Sequence, residues 1–297
     1  MQRTKSRKWK KKYMIGLIIV ILIVIVLFGV IHSKYFLSVS VYNVVSDKIS
    51  ARIRIVQLSD LHNSSFGEDN QKLINLVEDQ SPDIILLTGD LLNSQNENNY
   101  VAINLISKLS EIAPVYCSYG NHEQEYEKKF QKSIYSAYTD AGAKVLDKEF
   151  ENTIIKGQTL CIGGIGGYCL PEKYGEEANR DECDFIKEFQ NTDDYTILMC
   201  HMPVCWINND GLEEWKVNCV FSGHAHGGEV IIPIVGGIYA PDMGLFPGWL
   251  QGVYYSKDKT KALVLSRGLG TKEIIPRFNN VPEIVVTNII PEHATTD

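Results

Sequence analysis

The chain has 297 residues, of which 44% are hydrophobic and 22% are charged, which is ordinary for a globular protein with a sizeable core. Its formal net charge is −7, and seven of its positive charges lie within the first 12 residues, so the remainder carries −14. A body this acidic is unsuited to binding nucleic acid, because contacts to phosphate need a basic surface.

The first predicted element is a membrane anchor. Residues 14–31 carry no charge and are nearly all Ile, Leu, Val or Phe. At about 1.5 Å per residue, a helix of this length just crosses a hydrocarbon core of about 30 Å. A cleaved signal peptide has a shorter apolar region followed by small residues, a pattern that this sequence lacks. We therefore predict an uncleaved, single-pass anchor in the cell membrane over residues 14–32, with the basic flank in the cytoplasm and the remaining chain outside it.

Five apolar, strand-like runs follow, and each ends abruptly in a polar cluster. The runs are Arg52–Leu58, Asp83–Leu87, Pro114–Tyr119, Tyr195–Cys200 and Val217–Phe221. Continuous apolar runs of this length are typical of strands buried on both faces. Helical patterns lie between them, including one from Tyr126 to Tyr138 with a large apolar side chain at every fourth position. This alternation of strand and helix predicts an α/β fold with a single domain after the anchor.

The polar clusters hold most of the histidines. Five of the seven follow these strands, and only His32 and His293 do not. Ligands of open α/β sheets bind beyond the carboxyl ends of the strands, so we expect the clusters to meet. The candidate side chains are Asp60, His62, Asp90, Asn121, His122, His201, His224 and His226. His224 and His226 face the same side of an extended segment, although for this pair alone two solvated loop histidines are an equal alternative.

The candidate residues have the chemistry of a metal site. Carboxylate, imidazole and amide oxygen suit Mn, Fe or Zn. Two divalent ions about 3.5–4 Å apart need one shared ligand and a few ligands each. None of the seven cysteines is among the candidates, so a closed structural zinc site is not predicted. Their odd number and scatter also argue against a disulfide framework, and free thiols outside the cytoplasm imply either a source that meets little oxidant or the opposite orientation.

The motifs resemble the calcineurin-like metallophosphoesterases and occur in the order typical of that family. They are Asp60-x-His62, Gly89-Asp90, Gly120-Asn121-His122-Glu123, His201 and Gly223-His224-x-His226. Four segments are similar to the membrane-associated YkuE/YaeI-like branch, namely Leu58–His62, Thr88–Leu91, Ser222–Gly228 and Ser266–Gly270. The resemblance spans residues 52–290 and implies a four-layer fold of two packed mixed β-sheets flanked by helices.

The resemblance also implies a role for each candidate. One ion would be held by Asp60, His62 and His226, the other by Asn121, His201 and His224, and both by Asp90. His122 would face the substrate and give a proton to the leaving group. Asn93 stands where many relatives carry an aspartate that orients this histidine, and an amide carries no charge to stabilise an imidazolium.

The predicted function is hydrolysis of phosphomonoesters, phosphodiesters or pyrophosphates by a membrane-anchored enzyme with two divalent ions. Proximity to the membrane favours a lipid or cell-envelope substrate. The alternative function is that of a non-catalytic surface binding protein on the same scaffold.

The predicted organisation is a basic cytoplasmic tail over 1–13, an anchor over 14–32, a linker or first strand over 33–50, a metallophosphoesterase domain over 51–291 and a tail over 292–297. For the loop Tyr239–Leu250 two interpretations stay open, burial in a satellite core and contact with lipid or an acyl chain.

Overall fold

The computed structural model describes residues 2–178, 180–271 and 276–292, with side chains described from residue 12 onward. The strands are β1 (Ser38–Ser46), β2 (Ile53–Leu58), β3 (Ile84–Thr88), β4 (Val115–Ser118), β5 (Ala143–Val145), β6 (Glu149–Ile155), β7 (Gln158–Ile165), β8 (Tyr195–Cys200), β9 (Cys219–Ser222), β10 (Ile231–Ile232), β11 (Gly236–Gly237), β12 (Tyr239–Ala240), β13 (Gly244–Leu245), β14 (Gly252–Tyr255), β15 (Ala262–Leu265) and β16 (Glu283–Pro291). The helices are α1 (Gln2–Tyr35), α2 (Gln71–Glu78), α3 (Tyr100–Ser110), α4 (Asn121–Phe130), α5 (Tyr135–Asp140), α6 (Asp181–Phe189), α7 (Val204–Ile207) and α8 (Gly211–Glu214). Of the predicted tail over 292–297, residues 293–297 lie outside the described part.

Twelve of these strands form two mixed sheets, which confirms the predicted α/β architecture. The first sheet has the order β1-β16-β2-β3-β4-β5, and the second has the order β14-β15-β9-β8-β7-β6. In the first, β16 and β2 are antiparallel and the other neighbours are parallel. In the second, the two outer pairs are antiparallel and the inner strands are parallel. The five strands that precede the polar clusters are therefore divided between two sheets.

The sheets pack face to face and helices cover both outer faces. The central core contains apolar side chains from both sheets, among them Ile55, Leu86, Tyr116, Met199 and Phe221. Apolar faces of α2, α3 and α5 cover the first sheet, whereas α6, α7 and α8 cover the second. This order of helix, sheet, sheet and helix is the predicted four-layer fold.

The single helix predicted from Tyr126 to Tyr138 is wrong. Helix α4 ends at Phe130, and Gln131 has a left-handed backbone with φ 53°. Helix α5 then begins at Tyr135. Both tyrosines are buried in the same core, so their spacing reflects a shared environment rather than one continuous helix.

The predicted anchor is part of α1. Its segment Lys12–Tyr35 has a mean hydropathy of 3.5 and is long and apolar enough to cross a membrane. The end of the helix contacts the domain, where the backbone N–H of Asn280 donates to Ser33 Oγ at 3.0 Å. Gly29 also packs directly against the ring of Phe278. The helix therefore ends against the segment that precedes β16.

Candidate metal centre

Loops after β2, β3, β4, β8 and β9 converge at one edge of the two packed sheets. They bury seven predicted side chains to an exposure of at most 7%, namely Asp60, His62, Asp90, His122, His201, His224 and His226. Charged and polar groups are rarely buried together unless they are paired or bind a cation. The predicted meeting of these clusters is observed, although the strands that carry them belong to two sheets.

The side-chain nitrogen and oxygen atoms form three overlapping groups, each able to hold one cation. The groups are Asp60, His62 and His226; His62, Asp90 and His122; and Asp90, His201 and His224. Within each group, one ligand atom per residue lies within 4.8 Å of the others. His62 and Asp90 each belong to two groups, so the groups form one continuous cluster.

Asp90 occupies the middle of this cluster. Its Oδ2 lies 3.2 Å from His201 Nε2, 3.7 Å from His62 Nε2 and 4.0 Å from His122 Nε2. On either side two imidazole nitrogens face each other at 3.3 Å, His62 Nε2 with His226 Nε2 and His201 Nε2 with His224 Nδ1. One carboxylate thus lies between two pairs of rings, as a shared ligand must.

The backbone of the cluster is unusual. Five of its residues have a left-handed backbone, with φ 53° at Asp60, 48° at His62, 55° at Asp90, 67° at His224 and 48° at His226. This conformation costs roughly 1–2 kcal/mol for a residue with a Cβ atom. Such strain concentrates at functional sites, where the loop is shaped to aim a side chain.

Two motif glycines allow these loops to approach one another. A Cβ atom at Gly120 would overlap the carboxylate of Asp90. One at Gly223 would overlap the Ser59 hydroxyl and the Asp60 carboxylate. The glycines of the Gly-Asn-His and Gly-His motifs are therefore required by close packing around the two aspartates.

Hydrogen bonds fix which nitrogen of two rings faces the cluster. His201 Nδ1 lies 2.8 Å from the carbonyl oxygen of Thr88, which assigns its proton there and leaves Nε2 for Asp90. His224 Nε2 lies 2.8 Å from Asp242 Oδ2, which leaves Nδ1 for the cluster. Carboxylate partners of this kind orient metal-binding histidines and make them more basic. Asp242 was not predicted as a site residue, because no local signal links a residue in the β12–β13 loop to His224.

Glu123 was also missed as a site residue, although its motif was recognised. Its Oε2 accepts the backbone N–H groups of Asp90 at 2.8 Å and Gly120 at 2.9 Å. Its Oε1 accepts those of Leu91 at 2.8 Å and Leu92 at 3.4 Å. Glutamate at the third position of a helix is a capping signal, so the start of α4 could have revealed this role. The completely buried carboxylate clamps the β3 loop to the β4 loop.

Replacing Glu123 with glutamine should destabilise the domain by about 3 kcal/mol, because each carboxylate oxygen accepts two N–H groups and the new amide would oppose one pair. Urea unfolding of the detergent-solubilised chain measures this change. Glu111→Gln, at an exposed side chain, is the matched control and should leave the midpoint unchanged. Equal midpoints for both variants would show that Glu123 does not clamp the loops.

His122 is held by a backbone group. The N–H of Ser94 donates to its Nδ1 at 3.1 Å, which assigns the ring proton to Nε2, on the side of Asp90. The neighbouring Asn93 uses its Oδ1 to accept the N–H of Gln95 at 2.9 Å. The backbone after β3 therefore supplies orientation at the position where the resemblance leads us to expect a carboxylate.

The charges of the cluster fit divalent cations. Burial raises the pKa of Asp60. Burial alone would also raise the pKa of Asp90, but the neighbouring His201, His62 and His122 hold it well below its usual range. Burial lowers the pKa of His201, yet Asp90 outweighs this effect and raises the pKa to about 10. Two carboxylates buried this completely are stable as anions only beside positive charge, which bound cations would supply. The buried Oδ1 of Asn121 also has no hydrogen-bond partner among the described residues.

Comparison with known proteins identifies the family. The model of the calcineurin-like phosphoesterase family matches residues 53–228, which include every candidate ligand. The chain belongs to the calcineurin-like phosphoesterase family. It is similar to the uncharacterized metallophosphoesterase YkuE of Bacillus subtilis (strain 168), with 26% identity over 78% of this chain and 77% of YkuE. Phosphodiesterase YaeI of Escherichia coli (strain K12) is 27% identical over 65% of this chain and 67% of YaeI.

A third relative has a longer chain. The uncharacterized metallophosphoesterase Cj0846 of Campylobacter jejuni is 30% identical over 80% of this chain and 59% of its own length. Family membership confirms the predicted resemblance and makes this chain a metal-dependent hydrolase of phosphoric esters.

Residues beyond the family match also support the centre of this calcineurin-like chain. Asn280 Nδ2 donates to the carbonyl oxygens of His226 at 2.7 Å and Glu229 at 3.1 Å. The buried guanidinium of Arg277 donates to the Gly270 carbonyl at 2.9 Å and to Asn280 Oδ1 at 3.3 Å. The segment next to the end of α1 therefore holds the loop of His226 in place.

Proposed function

We propose that the chain hydrolyses phosphate esters with two divalent cations, Mn, Zn or Fe. In this assignment one ion is held by Asp60, His62 and His226, the other by Asn121, His201 and His224, and both by Asp90. The position of Asp90 Oδ2 between the two pairs of facing imidazoles carries the proposal. Imidazole, carboxylate and amide oxygen are ligands that these three metals accept.

In this proposal the ions supply Lewis acidity to the phosphoryl group and a nucleophilic hydroxide near neutral pH. The protein residues position and protonate. Asp242 and the Thr88 carbonyl orient the rings of His224 and His201. His122 carries its proton on Nε2, facing the centre, and gives it to the oxygen of the leaving group.

Metal depletion tests the proposal. The detergent-solubilised full chain is assayed with p-nitrophenyl phosphate and bis-p-nitrophenyl phosphate before and after chelation. We expect chelation to abolish hydrolysis and Mn²⁺ or Zn²⁺ to restore it, with two Mn²⁺ bound per chain. Full activity after thorough metal removal would contradict the mechanism, and a single Mn²⁺ under every loading condition would contradict the binuclear assignment.

The competing function is that of a binding protein on a phosphatase scaffold that has lost its catalytic activity. Such an inactive site is expected to lose ligands, because no reaction requires them. Every ligand position that the resemblance implies is occupied here by a suitable residue. Metal-loaded protein that binds phosphate without hydrolysing either chromogenic ester would favour the binding protein.

We further propose that the metal centre lies outside the cytoplasm, close to the bilayer. The basic residues before the span favour the cytoplasmic side for residues 1–13. The segment that contacts the end of α1 also contacts the metal-centre loop, since Asn280 bonds to both Ser33 and His226. An anchor attached in this way keeps the centre near the lipid headgroups.

Two exposed hairpins support a lipid-linked phosphate ester as the substrate. The hairpins β10–β11 and β12–β13 follow the loop of His226, and Ile231 of the first pairs with Phe278 beside α1. Leu245 is 69% exposed and Phe246 is 60% exposed. Burial of this loop in a satellite core is therefore wrong for these two side chains. Exposed apolar patches mark binding surfaces, and here the anchor would bring the hairpins close to the surface of the membrane.

Replacing both Leu245 and Phe246 by serine should reduce contact with lipid, because burying one such apolar side chain contributes about 1.5–3 kcal/mol to the free energy of binding. The readout is quenching of Trp249 fluorescence by brominated phosphatidylcholine, measured on full-length Trp9→Phe protein in vesicles. We expect the double variant to lose most of the quenching and about tenfold in hydrolysis of a vesicle-borne phosphodiester. Its hydrolysis of a soluble ester should not change.

Ile154→Ser is the matched control, because Ile154 is an exposed apolar residue on β6. Strand β6 forms the edge of the second sheet opposite to β14. This variant should retain both the quenching and the rate. If the Leu245 and Phe246 variant retains them as well, the hairpins do not contact lipid. Loss of soluble-ester hydrolysis would instead indicate damage to the metal centre.

A further inference from the structure

A second cluster of potential ligands lies next to the strand that carries His201. The Sγ atoms of Cys169, Cys200 and Cys205 lie within 4.8 Å of one another, with 3.5 Å between Cys169 and Cys205. All three side chains are completely buried. Their positions in the sequence gave no spacing typical of a zinc site, and only the fold brings them together. We propose that these three cysteines bind one thiophilic d¹⁰ cation, such as Zn²⁺ or Cu⁺, in a closed structural site.

The distances match a tetrahedral site. With metal–sulfur bonds of about 2.3 Å, two sulfurs on a tetrahedron lie about 3.8 Å apart. With a metal–oxygen bond of about 2.1 Å, sulfur and oxygen lie about 3.6 Å apart. The carbonyl oxygen of Met202 is 3.4 Å from Cys200 Sγ and 3.8 Å from Cys205 Sγ. Three thiolates therefore supply three corners of the site, and this carbonyl oxygen lies at a suitable separation from two of them.

Three different elements supply the sulfurs, and each is fixed by packing. Cys200 ends β8, Cys205 lies in α7, and Cys169 lies in the loop after β7. The indole N–H of Trp215 donates to the Cys169 carbonyl oxygen at 2.9 Å and anchors that loop. The ligands are thus held near their bound positions before a cation arrives, which lowers the cost of binding.

A disulfide explains the cluster less well. A bond between Cys169 and Cys205 requires a separation of about 2.05 Å rather than 3.5 Å, and it would leave the third thiol unused. The other cysteines belong to no such group of three among the residues that the structure describes. A cation uses all three sulfurs and releases their three protons to solvent as the metal–sulfur bonds form.

The site would tie α7 and the β7 loop to the end of β8. His201 directly follows Cys200, so the same backbone carries one ligand of each centre. The thiol site is nevertheless separate in chemistry, because Mn²⁺ prefers oxygen and nitrogen ligands whereas Cd²⁺ and Zn²⁺ accept thiolate. The thiol site therefore does not depend on the proposed phosphoesterase mechanism.

Cadmium tests this proposal. Full-length protein, purified in detergent under reducing and anaerobic conditions and loaded with Mn²⁺, is titrated with Cd²⁺. We expect the ultraviolet charge-transfer absorption of cadmium bound to thiolate to saturate at one Cd²⁺ per chain. Cys169→Ala should lower the affinity at least tenfold, whereas Cys161→Ala, at a buried cysteine of β7 outside the cluster, should not change it.

The titration of wild-type protein tests the thiol site even if a cysteine variant fails to fold. Absence of the thiolate absorption in folded wild-type protein would overturn the proposal. Peptide mapping of the same preparation that finds Cys169 bonded to Cys205 would also overturn it and would identify a disulfide instead. A full count of seven thiols after denaturation and chelation, with the absorption present before, would support it.

Discussion

Replacing Asp90 with alanine should reduce kcat/KM for a chromogenic phosphodiester by more than about a hundredfold. Even the outer hydrogen-bond partners of metal ligands cost about 10–100-fold when they are mutated, and Asp90 is proposed to contact both ions directly. Its Oδ2 lies within 3.7 Å of rings from both sides of the centre. Without the carboxylate, the negative charge that would offset the repulsion between two neighbouring cations is lost from the middle of the centre.

Activity and bound Mn²⁺ are measured on the same preparation of the Asp90 variant. Asp184→Ala is the control, because Asp184 is an exposed aspartate on α6 whose partner is the surface Lys187. The control should retain two Mn²⁺ and the original rate, whereas Asp90→Ala should retain at most one. A folded Asp90 variant with two bound Mn²⁺ and unchanged kcat/KM would contradict the bridging role.

The strands and the candidate ligands could be predicted because their signals are local. Apolar runs such as Tyr195–Cys200 coincide with strands, since burial on both faces selects for continuous hydrophobicity. Polar residues directly after such runs lie at carboxyl ends, where ligands bind. That five strands divide between two packed sheets was not readable from periodicity. The two-sheet arrangement came from the family resemblance alone.

The supporting residues were less predictable because their partners are distant or chosen by tertiary packing. Asp242 meets His224 through a hairpin, and Asn280 meets His226 across 54 positions of sequence. The three cysteines likewise meet only in the folded chain. Glu123 is different, because its position in the first turn of α4 is a recognisable capping signal. Local spacing therefore predicts ligands, whereas it seldom predicts what holds them.

Replacing His122 with alanine should have an effect that depends on the leaving group. A protonated general acid contributes about 10²–10⁴-fold when the leaving oxygen needs a proton. An alkyl phosphodiester should lose activity within this range. A p-nitrophenyl ester should lose less than about tenfold, because its phenolate leaves without protonation. Comparing kcat on the two substrates with saturating Mn²⁺ measures this difference.

His32→Ala is the matched control, because the His32 ring stacks on the rings of Phe28 and Phe36 and belongs to none of the ligand groups, so this variant should leave both rates unchanged. An equal loss on both substrates would assign His122 to metal or phosphate binding rather than to protonation. The backbone N–H of Ser94 favours the role of His122 as proton donor to the leaving group. Its donation to Nδ1 keeps the proton of the neutral ring on Nε2. A metal ligand would instead require Nε2 without its proton, so the leaving-group dependence separates the two roles.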